Sequence, residues 1–312
     1  MRELKVGTDY SGMETPLIAL QLLQVPHRHL FSSEICPRIR SVIAEKFAPE
    51  RLFEDALARR AAELPKRLDL YVAGFPCQVF SVLNANTGNH RSPAQPLKHF
   101  HACVRAIETS KPKVFILENV PGLVTGGKGM HFASVRKRLD ALQQYDVAYM
   151  ILNARDYGSP QGRKRLYIVG IRGGIPARVA LPPPVAVRRA TFASLVQKTS
   201  ARKRITATRQ RVFDACARRF PHPIFLTTEL AHRRCTAQKT PPCLLRKGGG
   251  IYSSAHRIVT TLREDMRLQG IPDDFHFPDD VSETAGRQMV GNAMSVDVLK
   301  HLFLQILKVW DS

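Results

Sequence analysis

The segment Leu4–Leu23, LKVGTDYSGMETPLIALQLL, decides how the rest of the chain is read. Leu4–Thr8 has the short, β-rich apolar pattern of a buried strand. Pro16 stands in the first turn of a helix predicted over Pro16–Leu23, where its missing N–H costs nothing. Between them lies Asp9-Tyr10-Ser11-Gly12-Met13-Glu14, whose small residues let the backbone approach a ligand at a helix start. The same alternation then repeats. His29–Ser33 reads as a strand and Pro37–Phe47 as a helix; Leu68–Ala73 follows as a strand and Phe100–Thr109 as a helix. Lys113–Leu117 (KVFIL) is a buried-type strand, Phe132–Gln144 a helix, and Val147–Asn153 and Leu166–Ile171 complete the strands. Alternation of this kind predicts an α/β fold of crossover units with a doubly wound, mostly parallel sheet.

From Arg172 to Lys247 the periodicity is lost, and proline clusters (Leu181–Pro184, Pro221–Pro223, Pro241–Pro242) predict a small, irregular insert. Helical patterns return at Leu262–Gln269 and Ser295–Val309. The expected organisation is therefore residues 1–171 and 248–312 as one domain, with 172–247 inserted. Gly126–Gly129 (GGKG) lacks the spacing of a phosphate loop and reads as a turn.

The 312 residues carry 47 Lys and Arg against 26 Asp and Glu, a net charge of +21. Of this, 17 basic and two acidic residues fall within 172–247. A pI near 10.2 with the charge concentrated in one insert points to a polyanionic partner, most simply nucleic acid. No run approaches the ~18 apolar residues of a membrane span, and no signal-peptide core opens the sequence. An intracellular protein is expected. Six cysteines at irregular spacing read as reduced thiols. His232, Cys235, Cys216, His222 and Cys243 match no standard zinc spacing, so no metal is expected.

In an open α/β sheet, ligands bind beyond the carboxyl ends of the strands, and the unusual residues fall there. Glu34 follows the Gly12 turn at the distance expected of a ribose-hydroxyl acceptor, and Asp55 is a candidate for accepting from a base edge. Together they suggest a nucleoside-containing cofactor. Phe75-Pro76-Cys77-Gln78 sets a thiol at the mouth of the sheet, either a nucleophile or a buried structural cysteine. Glu118-Asn119-Val120 brings a carboxylate out of an apolar strand, where desolvation suits general-acid work. Gln161-Gly162-Arg163-Lys164-Arg165 offers two arginines for an oxygen-bearing substrate or phosphate.

Five blocks carry a resemblance: GFPCQ (Gly74–Gln78), ENV (Glu118–Val120), QGRKR (Gln161–Arg165), RLQGIPDDF (Arg267–Phe275) and QMVGNAM (Gln288–Met294). In order and spacing they resemble the signature blocks of the DNA cytosine-5 methyltransferases, over residues 4–171 and 242–310. The resemblance implies a Rossmann-like fold dependent on S-adenosyl-L-methionine, and double-stranded DNA as partner. It implies Cys77 as nucleophile on C6 of a flipped cytosine, Glu118 at N3, Arg165 at O2, and Arg163 orienting the closing loop or backbone. Tyr10, Ser11, Gly12, Met13, Glu34, Asp55, Pro76, Asn292 and Ala293 would touch the cofactor, and the last helix would close over that site. Pro76, Gln78, Ser81, Asn119 and Gln161 would surround the base. The loop Val79–His99, hinged at Gly88 and Pro93, would shut on the DNA. Segment 172–247 would be the target-recognition domain.

The chain departs from the family pattern at Glu14 and Thr15, where many members have paired glycines, and at Val79. A transfer-RNA-methylating branch of the family is the nearest rival. It carries Pro-Pro-Cys-Gln and a Cys-Phe-Thr element, whereas this chain has Phe75 before Pro76 and no Cys-Phe-Thr. A non-catalytic, nucleic-acid-binding stimulatory subunit is the rival from another class, and it would have lost the cysteine, glutamate or cofactor turn. The compartment would be the nucleus in a eukaryote and the nucleoid in a bacterium, and an auxiliary protein partner stays open.

Overall fold

The computed structural model describes residues 2–76, 97–183, 190–197, 205–228, 240–246 and 249–310. The chain divides into two compact units. The first comprises 1–152, 164–183 and 298–312; the second comprises 153–163 and 184–297.

The first unit opens with β1 (Leu4–Asp9), α1 (Thr15–Leu22), β2 (His27–Ser33), α2 (Pro37–Phe47) and β3 (Leu52–Phe53). It continues through β4 (Leu70–Ala73), α3 (Lys98–Ser110), β5 (Val114–Asn119), the single turn α4 (Gly122–Thr125), α5 (Met130–Asp140), β6 (Tyr145–Asn153) and β7 (Lys164–Arg172). Seven strands form one sheet in the order β3-β2-β1-β4-β5-β7-β6. β1 runs parallel to β2 and β4, β3 parallel to β2, and β5 parallel to β4, whereas β7 is antiparallel to β5. The order reverses between β1 and β4, which is where an open sheet parts to admit a ligand. The mostly parallel, doubly wound sheet expected from the alternation is the one observed.

The core is what the β-branched and aromatic runs dictate. Phe31, Tyr71, Phe100, Phe115, Leu117 and Ile168 belong to one buried cluster on the sheet, each stabilising by about 1.5–3 kcal/mol on burial. Phe115 lies over Gly170 on the neighbouring strand. A Cβ at Gly170 would stand 2.1 Å from the Phe115 ring, so the antiparallel pairing of β5 and β7 needs a glycine there. The Gly126–Gly129 turn is a 3-10 segment with left-handed Gly127 and Lys128.

The second unit holds the single turn α6 (Phe192–Leu195), α7 (Ala207–Ala217), β8 (Phe225–Thr227), β9 (Ile251–Ser253), β10 (Ile258–Val259), α8 (Leu262–Leu268) and α9 (Glu283–Asn292). The last helix, α10 (Val296–Trp310), begins in it and ends in the first unit. β8, β9 and β10 form an antiparallel sheet. Phe213 of α7 stacks on Tyr252 of β9 at 4.2 Å, in a cluster with Cys216, Ile224 and Leu226. The region read as irregular thus has its own small core, built from a few apolar residues among many arginines. Cys216 is disulfide-bonded, which corrects the all-thiol reading. Cys36, Cys103 and Cys243 are free thiols. No helix among the described residues is long and apolar enough to cross a membrane.

Candidate active site

In the first unit, the carboxyl ends of β1 to β5 and the start of the antiparallel β7 lie at one edge of the sheet. The ladder continues past the strands themselves. The N–H groups of Tyr10, Glu34 and Gly74 donate to the carbonyls of Ser33, Phe53 and Asp9, each at 3.1 Å. The turn after β1 is left-handed at Tyr10 (φ 54°), Gly12 (φ 62°) and Glu14 (φ 56°). At Gly12 nothing lies within 4 Å of where a Cβ would be, so backbone faces open space. Ser11 and Met13 are buried, leaving mainly their backbone to a ligand. Tyr10 Oη lies 3.1 Å from His99 Nδ1 at the first turn of α3, and burial holds its phenol above its ordinary pKa.

Two carboxylates follow the neighbouring strands β2 and β3, each anchored by main chain. Glu34 Oε1 accepts from the Cys36 N–H at 2.9 Å, and burial raises its pKa more than that bond lowers it. Asp55 Oδ1 accepts from the Leu57 N–H at 2.8 Å. Open backbone at Gly12 with two anchored acceptors on the same sheet edge fits a nucleoside-bearing ligand with hydroxyl and amine donors. Ile35, next to Glu34, is 69% exposed and adds an apolar surface for a base. Sequence reasoning passed over Ile35, although a bare isoleucine beside a predicted acceptor was the signal.

Beneath the same edge is a buried ion pair that sequence reasoning missed. Asp9 receives two hydrogen bonds from the Arg59 guanidinium at 2.5 Å each and one from the Tyr71 hydroxyl at 2.6 Å. Arg59 also donates to Ser33 Oγ at 2.6 Å and lies over the rings of Phe31 and Phe53. Burial works against its charge, but Asp9 outweighs that and holds its pKa above the ordinary value. The Arg59 N–H donates to the Asp55 carbonyl at 3.1 Å, so the pair fastens the Asp55 turn to β1.

Two strands along, the chain leaves β4 as Gly74-Phe75-Pro76. The buried Asn119, at the end of β5, donates from Nδ2 to the Phe75 carbonyl at 3.0 Å, and its Oδ1 accepts from the Val120 N–H at 2.9 Å. It thereby pins the turn one residue before Pro76. Glu118 and Arg165, on antiparallel β5 and β7, form an ion pair with Oε1 and Nε 3.1 Å apart. Their side chains are 13% and 17% exposed. Cys77, Gln78, Ser81 and most of the loop Val79–His99 lie outside the described residues.

The other sequence-derived positions belong to the second unit. Gln161 is buried. It donates from Nε2 to Gln269 Oε1 at 3.0 Å and to the Leu268 carbonyl, and Leu244 N–H donates to its Oε1. Arg163, 2% exposed, donates to the carbonyls of Leu244, Gly291 and Ala293, the last at 2.6 Å, and to Cys243 Sγ. Both act as internal supports, holding Gly291 and Ala293 in place, while Asn292 between them is exposed. His232 and Cys235 lie outside the described residues; among those described, no group of three or more candidate ligands could hold a metal.

Comparison with known proteins agrees with this geometry. The family model for C-5 cytosine-specific DNA methylase matches residues 11–214 and 197–308. The type II methyltransferase M.NgoBI of Neisseria gonorrhoeae is 30% identical over 296 residues, covering 87% of this chain and 84% of the relative. Among solved structures, Entamoeba histolytica EhMeth superposes over the whole of both chains with a TM-score of 0.73 at 13% identity. S. pombe Dnmt2 does so at 0.68 and 15%, and both share the fold. The signature residues at the sheet edge, the family match and the bacterial relative converge: the chain is a member of the C-5 cytosine-specific DNA methylase family and a DNA (cytosine-5-)methyltransferase.

Proposed function

We propose that this enzyme transfers a methyl group from S-adenosyl-L-methionine to carbon 5 of a cytosine flipped out of double-stranded DNA, through a covalent bond between Cys77 and C6. The observation that carries this reading is the pairing of Glu118 with Arg165 on the edge where Asn119 clamps the turn before Pro76. One carboxyl and one guanidinium are thereby fixed side by side on the edge where the Phe75 carbonyl is clamped.

The cofactor supplies an electrophilic methyl carbon on a sulfonium sulfur. Glu34 and Asp55 would accept from its hydroxyl and amine donors, the backbone of Tyr10, Ser11, Gly12 and Met13 would line it, and Pro76, Asn292 and Ala293 would complete the contacts. A base stacked in a duplex cannot present its ring atoms to a pocket, so extrusion comes first. The Cys77 thiolate then adds to C6 while Glu118 holds a proton at N3 and Arg165 donates to O2, which makes C5 nucleophilic. Carbon 5 would take the methyl group as its bond to the sulfonium sulfur breaks, leaving S-adenosyl-L-homocysteine. Loss of its proton restores the C5–C6 double bond and expels the thiolate. Pro76, Gln78, Ser81 and Asn119 would hold the base and the thiol turn. Gln161 and Arg163 would serve this site through the segment they brace.

Segment 172–247 would be the target-recognition domain. Its 17 basic residues would contact phosphates, giving affinity that falls steeply with salt.

The test is transfer of labelled methyl to unmodified duplex DNA, hemimethylated DNA and transfer RNA, with Cys77→Ala beside each. Label in DNA that vanishes in the variant is the expected result. Label confined to RNA would overturn the substrate. Undiminished transfer by the variant would overturn the mechanism.

A further inference from the structure

Glu14 occupies a left-handed backbone position, φ 56° and ψ 42°, where a side chain costs roughly 1–2 kcal/mol that glycine would not. It is also fully buried, which is adverse for a carboxyl group. Against these costs stands what the side chain holds. Its Oε1 accepts from Thr8 Oγ1 of β1 at 2.8 Å and from Ser32 Oγ of β2 at 2.6 Å. Thr8 Oγ1 lies 3.0 Å from Nε2 of the buried His29, also on β2. At the same residue, the Glu14 carbonyl accepts the N–H groups of Leu17 and Ile18 and so starts α1. One residue therefore joins two parallel strands and a helix from beneath the Tyr10–Glu14 turn.

We propose that Glu14 is a positioning residue: its carboxyl is a strut between β1 and β2 that fixes the shape in which the Tyr10–Met13 backbone meets the methyl donor. The inference rests on the reading of this sheet edge as the cofactor site. It accounts for a polar cluster whose members reach no surface: Thr8, Glu14, His29 and Ser32 are all buried and bond to one another.

The experiment is equilibrium binding of S-adenosyl-L-homocysteine to the full chain by calorimetry without DNA, for wild type, Glu14→Gln, Glu14→Ala and Glu14→Gly. Glutamine retains the oxygen that accepts both hydroxyl bonds, so affinity within about threefold of wild type is expected. Glycine removes the backbone strain, so this variant folds, but it has no strut; it and alanine should bind at least tenfold more weakly. In turnover, the loss should appear in KM for the donor with kcat nearly unchanged. Wild-type affinity in Glu14→Gly would overturn the strut, as would a loss in Glu14→Gln as large as in Glu14→Ala. Glu34→Ala serves as the control for the site. If it binds as tightly as wild type, the cofactor lies elsewhere and the proposal falls with that reading.

Discussion

Replacing Arg59 by methionine tests whether the buried pair beneath the cofactor edge is real. Asp9 is wholly buried and the Arg59 side chain is 3% exposed. The substitution removes two of the three hydrogen bonds that Asp9 receives, leaving only that from Tyr71. An uncompensated buried carboxylate costs about 3–5 kcal/mol, a large share of the ~5–15 kcal/mol by which a domain is stable. Asp9→Asn in the same background removes the stranded charge, so the double variant should recover to within about 2 kcal/mol of wild type. Urea unfolding at pH 7 followed by circular dichroism gives all four corners of the cycle, with the slope checking that the compact state is unchanged. Because the Arg59 turn carries Asp55, Arg59→Met should also weaken S-adenosyl-L-homocysteine binding more than it slows turnover at saturating donor. A loss below about 1 kcal/mol, or costs that simply add in the double variant, would refute the reasoning. The pair would then be solvated rather than structural.

Other expectations follow from single contacts. Glu118→Gln, which keeps shape but not the proton-holding group, should slow single-turnover methyl transfer at least 100-fold while DNA binding measured by gel shift is unaffected. Gly170→Ala drives a methyl group into the Phe115 ring and should cost about 1–3 kcal/mol or more; Phe115→Leu in the same chain should recover part of it in thermal melts. Burial raises the Glu14 carboxyl from 4.5 to about 7, against hydrogen bonds from Ser32 and Thr8. The folded protein therefore binds that proton more tightly than the unfolded chain does, and stability is lost as pH rises from about 4.5 to about 7. At about 1.4 kcal/mol for each tenfold, the loss comes to roughly 3 kcal/mol. Glu14→Gln should be the more stable protein above pH 7 and no better near pH 4; parallel curves across that range would contradict it.

What could be read from the sequence follows from how local its causes are. Leu4–Asp9, Pro37–Phe47 and Val114–Asn119 were legible because an apolar run or a proline at a helix start acts within a few residues. The strand-end placement of the candidate residues was legible for the same reason, since a strand that stops in Glu118-Asn119 announces its own edge. α9 was missed because Gly286 and Gly291 dilute the helical pattern, and its start is marked only by the Ser282 cap. The Asp9–Arg59 pair joins positions 50 residues apart, which no periodicity connects. Glu14 was noticed only as a departure from family pattern. That it is left-handed, and tied to Ser32, emerges only when β1 and β2 lie side by side.

The seam between the two units has a practical meaning for building chimeras. The chain passes from the second unit to the first between Arg163 and Lys164, only two residues ahead of Arg165. Among the described residues, the Gln161 and Arg163 side chains bond only to partners of the second unit, at Leu244, Leu268, Gln269, Gly291 and Ala293 among them. A cassette cut by sequence at 172 and 247 would therefore part these two side chains from Leu244 and Cys243 while leaving them with Leu268, Gln269, Gly291 and Ala293. An exchange that carries 153–163 together with 184–297 keeps every one of those bonds within a single parent, and so defines the graft with which to test whether DNA specificity travels with this unit.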